Sequence, residues 1–338
     1  MYEESTGKVT DALQNASPTT FTAETIDKIL SLTTGNGDTA VSLTEVMAPA
    51  NGVVTVAAGT EIAYVSAPAG VDLVAPSDVA VVLFQGTTGV TATFSGSGAG
   101  SDAGTIDRLV VGTAGSDKIV IDDAKNSHVT AGAGDTIVAG AGSDTIVAGM
   151  GNSTIEGGTG YAIVELAGDA DDYTVSVVNG HAVVTGNGST TNISGIQFVQ
   201  LGDGNAMVFA KDEVEAAVTT LYETTFGRSA DAYGLDFWFQ MARAGVSLNA
   251  IAEGFINSAE YKAEAPVDNS TFVNNLFKQT YGHEATAAQV LEWTSKLSNG
   301  FDRADLIESF AAAAAELIAD GNGAQVVGQV VIIPGIFG

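Results

Sequence analysis

The 338-residue sequence has no cysteine, only three histidines and only six prolines, and its 12 Lys and Arg are set against 40 Asp and Glu. Without cysteine there is no disulfide framework, no thiolate metal site and no cysteine nucleophile. Twelve scattered basic residues cannot assemble a phosphate-binding surface, and a net charge of -28 repels nucleic acid and anionic membranes, so cations or basic partners are the natural counterparts. No apolar run reaches the eighteen residues that a transmembrane helix needs, and the N-terminal Met1–Lys8 stretch lacks the apolar segment of a cleaved signal peptide. His128, His181 and His283 form no H-E-x-x-H pair, and neither a G-x-S-x-G elbow nor a P-loop occurs. Nothing in the sequence assembles nucleophile, base and orienting group, so the expectation is a protein without catalytic activity.

What is abundant is glycine, 41 residues, and 45% of the chain is apolar, enough for a real core. Up to residue 210 the chain holds 23 acidic and 5 basic residues; beyond it, 17 and 7. The first part runs in short Val, Thr and Ile segments broken by Gly and Asn, as strands do; from Lys211 to Asp320 apolar residues recur at helical spacing. Phe21, Ile26, Ile29 and Leu30 predict one short amphipathic helix near the N-terminus. The expected organisation is β + α multidomain. It comprises a β-rich region over 1–105 with a short helix, a parallel β-roll over 106–166, a hairpin cap over 167–210, a duplicated helical domain over 211–320 and an apolar tail over 321–338.

Asp117, Asn126, Asp135, Asp144, Ser153 and Ala162 succeed one another every nine residues, and Ile119, His128, Ile137, Ile146, Ile155 and Val164 follow two places later. Glycine runs such as Gly112-Thr-Ala-Gly115 and Ala139-Gly-Ala-Gly142 lead into each short strand. This resembles the RTX calcium-binding β-roll, with its unit G-G-x-G-x-D-x-U-x. In that family two nonapeptides make one coil and calcium lies between aspartates eighteen residues apart. The resemblance therefore implies one or two Ca2+ sites held by Asp117, Asp135, Asn126 and Asp144 with the turn glycines Gly115, Gly134 and Gly142. The alternative is a calcium-free solenoid whose aspartates cap turns by accepting from backbone amides. His128 falls at an inward position as a local departure from the roll. Val120, Val129, Val138 and Val147 would stripe the outside and want covering.

After the array, two alternating strands flank Asn179-Gly180, a hairpin signature, and Ile193–Gly204 looks like the segment that follows RTX arrays and caps the solenoid. Leu221–Gly227 and Leu276–Gly282 match at an offset of 55, as do Trp238 with Trp293, Gly245 with Gly300 and Phe255 with Phe310. Gly227 and Gly282 read as helix C-terminal positions, and Ser247 and Asp302 as N-caps. The run Phe226-Gly-Arg-Ser-Ala-Asp-Ala-Tyr-Gly-Leu-Asp-Phe-Trp238 followed by Phe255-Ile-Asn-Ser-Ala-Glu260 resembles an uncharacterised helical family related to phycobilisome linker domains, found in exported surface proteins. Ala230 replaces its proline, and Arg228 and Asp231 are expected to brace a loop.

The uncharged end, with Val327, Val330, Val331, Ile332, Ile333, Ile336 and Phe337, admits three readings: a type I secretion signal, the last strand of its own domain, or a strand donated to a neighbour. Together these features predict an exported structural protein of the cell surface or extracellular matrix that self-assembles as a homo-oligomer or polymer with calcium. The RTX resemblance implies type I export from a Gram-negative cell. The rival expectations are a calcium-dependent adhesin for a surface polysaccharide or host glycan and a polysaccharide-modifying enzyme.

Overall fold

The structure is a computed structural model that describes residues 2–17, 20–33, 40–149, 151–319 and 329–332. It divides into two units, residues 1–167 with 172–196, and residues 168–171 with 197–338. In chain order the first unit contains β1 (Tyr2–Ser5), α1 (Thr6–Ala16), α2 (Ala23–Ser31), β2 (Ala40–Met47), β3 (Ile62–Ser66), β4 (Asp72–Ala75), β5 (Val81–Gln85) and β6 (Thr91–Ala99). It continues through β7 (Arg108–Val111), β8 (Lys118–Ala124), β9 (Ser127–Thr130), β10 (Thr136–Val138), β11 (Asp144–Val147), β12 (Asn152–Glu156), β13 (Ala162–Leu166), β14 (Tyr173–Val178), β15 (His181–Gly186) and β16 (Ser189–Ser194).

From β3 to β13 successive strands alternate between two parallel sheets, one running β2-β3-β5-β7-β9-β11-β13 and the other β4-β6-β8-β10-β12-β16. Inward residues of successive strands build the core between them. Ala63, Val82, Val110, Val129, Ile146 and Val164 stack on one side. Leu73, Ala92, Ile119, Ile137, Ile155 and Ile193 stack on the other. All are at most 2% exposed, so each coil buries its aliphatics only when a neighbour is stacked on it. The coil is thus continuous from the N-terminal third, and the boundary expected at residue 106 lies inside it. Early coils escape the nonapeptide pattern because Ala63 stacks on Val82 and Leu73 on Ala92, one residue beyond two nonapeptides, and because the connection between β6 and β7 is long; parallel pairing needs the inward residue to recur, not a fixed coil length.

The predicted N-terminal helix is α2, capped by Thr22 accepting from the Thr25 amide. Val9, Leu13, Ile26 and Ile29 of α1 and α2 cover the outer face of the first sheet over Leu43, Ile62, Val81 and Leu109. At the other end β16 pairs in parallel with β12 and continues antiparallel into β15 and β14. Asn179 and Gly180 take positive φ of 52° and 80°, as the Asn-Gly hairpin requires. Asn187 and Gly188 make a second turn of the same kind between β15 and β16.

The second unit contains β17 (Phe198–Leu201), β18 (Ala206–Ala210), α3 (Glu213–Phe226), α4 (Ala232–Arg243), α5 (Leu248–Asn257), α6 (Ala259–Glu264), α7 (Asn269–Tyr281), α8 (Ala287–Ser298), α9 (Arg303–Ala319) and β19 (Gln329–Ile332). The offset of 55 places α7, α8 and α9 on α3, α4 and α5. Gly227 and Gly282 both end their helices in the left-handed region, at φ 67° and 74°. Ser247 caps α5, and Asp302 and Asp305 exchange backbone bonds at the start of α9. Each copy closes on the same four aromatics, Tyr222, Phe226, Trp238 and Phe255 in the first and Phe277, Tyr281, Trp293 and Phe310 in the second. Arg228 lies over the first box and His283, its counterpart, against the second. The tail takes the second of its three expected placements where it is described: β19 pairs in parallel with β18, Val330 beside Val208, Val331 beside Phe209 and Ile332 beside Ala210. Val327, Ile333, Ile336 and Phe337 lie outside the described residues.

Candidate metal centre

The roll has two edges. Turns from the first sheet to the second carry Asp117, Asp135 and Ser153; turns running back carry Asn126, Ser127, Asp144 and Ala162. Three aspartates repeat one arrangement. Asp117 accepts from the amides of Thr113 in its own turn and Val90 in the coil before; Asp135 accepts from Gly132 and Asp117; Asp144 accepts from Gly140 and Ser127. Each carboxylate ties its own turn to the previous one, which is the turn-capping chemistry expected of the calcium-free alternative. All three are at most 2% exposed. Burial raises the pKa of Asp135 and of Asp144, and for Asp135 the neighbouring Asp117 carboxylate adds to the rise.

At the first edge this leaves two buried carboxylates one coil apart, and among the described residues no basic side chain forms an ion pair with either. A Cβ on Gly112 would collide with Asp117 Oδ2 and stand 3.6 Å from Asp135 Oδ2, so the glycine backbone lies directly against both carboxylates. A Cβ on Gly132 would stand 3.5 Å from the Thr113 carbonyl and 3.6 Å from Asp135 Oδ2. Carboxylates plus turn carbonyls are the hard oxygen donors that calcium takes. Among the described residues no three His, Asp or Glu side chains converge, so an ion here draws on backbone oxygens as well. Asp117 and Asp135 with the turns around Gly112 and Gly132 fit calcium. Gly115, Gly134 and Gly142 have another task. Side chains there would collide with Gly89, Ser116 and Lys125 of the preceding coil, so they permit coil-to-coil stacking.

The second edge departs from the expected pairing. Asn126 does not lie opposite Asp144; the register sets Ser127 there, because the turn before β9 is one residue out of step. A one-residue slip turns a strand over. Val129 therefore points inward, and His128 faces out beside α2, its Nε2 3.5 Å from Lys28 Nζ, correcting the inward placement read from the period. Burial first, then Lys28, lower the His128 pKa to about 4, with Glu24 opposing. Because the folded pKa is depressed, this residue's stabilising share is present above pH 6.5 and is lost as pH falls toward 4. His128→Gln is expected to flatten that part of the acid limb in denaturant titrations at stepped pH; parallel wild-type and variant curves would refute it.

Inside the same edge lies Arg108, which the sequence offers only as one of three basic residues near the array, with Lys118 and Lys125. Arg108 is 0% exposed, bonds both oxygens of Asp123 at 3.0 and 2.9 Å and Ser127 Oγ at 2.8 Å, and lies 4.4 Å over the Phe94 ring. The signal was available: carrying the nine-residue period one unit upstream of Asp117 lands on Arg108. In the helical unit, Arg228 binds Glu260 through two bonds of 2.7 and 2.8 Å and donates to the Ser229 carbonyl, while Asp231 caps α4.

The RTX calcium-binding nonapeptide repeat, four copies, matches residues 124–163, and the domain of unknown function DUF4214 matches residues 209–265 and 252–319. No curated protein and no solved structure matches the chain. The chain therefore carries a repeat that binds calcium and is typical of secreted proteins. No helix among the described residues is long and apolar enough to cross a membrane.

Proposed function

We propose that this protein is an exported, non-catalytic structural subunit that self-assembles at the cell surface or in the extracellular matrix, its roll stabilised by calcium. The observation that carries the reading is the buried Asp117–Asp135 pair, held beside glycine turns without a basic partner. Calcium would be held by these two carboxylates and turn carbonyls, where it supplies charge that the roll lacks. At about ten times its dissociation constant, an ion at such a site contributes about 1.4 kcal/mol. It also relieves repulsion in a chain of net charge -28.

The terminal strand supports assembly. β19 closes on β18 through backbone hydrogen bonds, and Val330, Val331 and Ile332 of a neighbour can make the same bonds to a vacated β18. Electron microscopy and light scattering of the full chain are expected to show large ordered particles in millimolar calcium. They should disperse on chelation, in Asp135→Asn and on deletion of residues 326–338. Uniform monomers in every condition overturn the reading, and retention of those monomers on a glycan array would establish the adhesin instead.

A further inference from the structure

The two edges of the roll are built from the same period but neutralised differently. At the first, the carboxylates of Asp117 and Asp135 meet backbone amides, with the Thr113 hydroxyl on Asp117 as the one side-chain donor. At the second, three carbonyls of the preceding turn, those of Ser101, Asp102 and Thr105, converge on Asn126 Nδ2 at 3.1, 3.0 and 2.9 Å. A primary amide has two protons for these three acceptors. Converging carbonyl oxygens are what a hard cation takes as ligands, and here a side-chain nitrogen occupies their focus. The carboxamide's other end accepts from the Ser143 amide of the next turn at 2.7 Å, so the side chain bridges three consecutive turns. Immediately inside, the guanidinium of Arg108 supplies a permanent positive charge to Asp123 and lowers the charge penalty on Asp144.

We propose that Asn126 and Arg108 are built-in replacements for bound cations, closing the second edge of the roll without calcium and confining calcium to the Asp117–Asp135 edge. The second clause rests on the calcium reading above; the first does not. The consequence is a roll with one edge that is permanently set and one that responds to the ion.

Hydrogen exchange on the wild-type protein separates the edges. Adding millimolar calcium to the chelated protein is expected to raise protection of the Thr113, Asp117 and Gly132 amides about tenfold, the effect of filling a site at roughly ten times its dissociation constant. The Ser127 and Ser143 amides should change less than about twofold. Equal gains at both edges overturn the proposal. Silence at both, with no heat when calcium is titrated calorimetrically, overturns the calcium reading and leaves the closed edge standing. Asn126→Asp supplies the converse test, because a carboxylate among three carbonyls repels them until a cation enters. This variant is expected to melt below wild type in chelator and to gain a calcium-dependent rise at Ser143 that wild type lacks. A variant with the wild-type calcium response refutes the cation-replacement idea.

Discussion

Replacing Arg108 with methionine is expected to destabilise the first unit by about 3–5 kcal/mol, in calcium and in chelator alike. The side chain is wholly buried, and its loss leaves the Asp123 carboxylate, which is 1% exposed, without a counter-charge and with the Lys125 amide as its remaining donor. Ser127 Oγ loses its donor, and the Phe94 face loses the cation stacked on it. The cost arises from the partner left behind more than from the pair itself. The Arg108 Nε atom bonds to nothing, so the native arrangement already carries an unsatisfied polar atom. The double variant Arg108→Met, Asp123→Leu should therefore recover most of the loss, since a buried pair exchanged for apolar groups of like volume is often neutral. Chemical denaturation of the four proteins of this cycle measures it. A single-variant loss below 1 kcal/mol, or its rescue by calcium, would contradict the placement of Arg108 as a fixed internal cation.

The second large effect belongs to the helical unit and has the opposite relation to pH from that of His128. Glu223 is 4% exposed in the last turn of α3, and its Oε2 has no hydrogen-bond partner. Burial alone raises its pKa to about 9. Glu215, two turns earlier on the same helix, is as deeply buried but accepts from Arg243 Nε at 2.9 Å, Gln197 Nε2 at 2.7 Å and the Lys211 amide at 2.8 Å. A raised carboxyl pKa means that the folded state holds a proton which the unfolded chain releases above about pH 4.5. The associated stability is complete below that pH and is lost as pH rises toward 9. By pH 7 the cost reaches about 3 kcal/mol, at about 1.4 kcal/mol per pH unit. Glu223→Gln should stabilise the helical unit at pH 7 to 8 by about that amount and flatten its dependence between pH 5 and 9. An unchanged slope in the variant would show that the carboxyl is not the titrating group.

Much of this was legible in the sequence. The nine-residue period gave the β-roll strands from β8 to β13, and the offset of 55 gave the duplication of the helical domain with its capping glycines Gly227 and Gly282. Asn179-Gly180 marked its hairpin, and the aspartates stand on the edges where the period put them. What escaped has physical reasons. The coils before residue 106 were hidden because a one-residue-longer coil and the long connection between β6 and β7 break a nine-residue period without breaking parallel pairing. The slip at β9 was hidden because the segment Ile121–Asn126 has no glycine to mark where β8 ends and its turn begins, so Asn126 and His128 were each assigned one step out of register. Asn126 itself was read as an oxygen donor to a metal, whereas its amide nitrogen faces the carbonyls. That distinction depends on the 100–106 turn, which lies outside the array. The burial of Glu223 has no sequence signal, because nothing in its local spacing reveals that α3 is enclosed from Glu215 to Thr224.

The stacking of Thr136 on Thr154 and of Ile146 on Val164 sets equivalent residues eighteen apart, one complete turn of a screw. Inserting a copy of such a turn joins surfaces already shaped for one another, since the interior aliphatics meet in the same phase. The β9 slip breaks that equivalence upstream. Length on its C-terminal side is thus an adjustable property of the molecule, measured in eighteen-residue cassettes. The Arg108 side of the slip admits no such substitution and fixes the end from which the screw is counted.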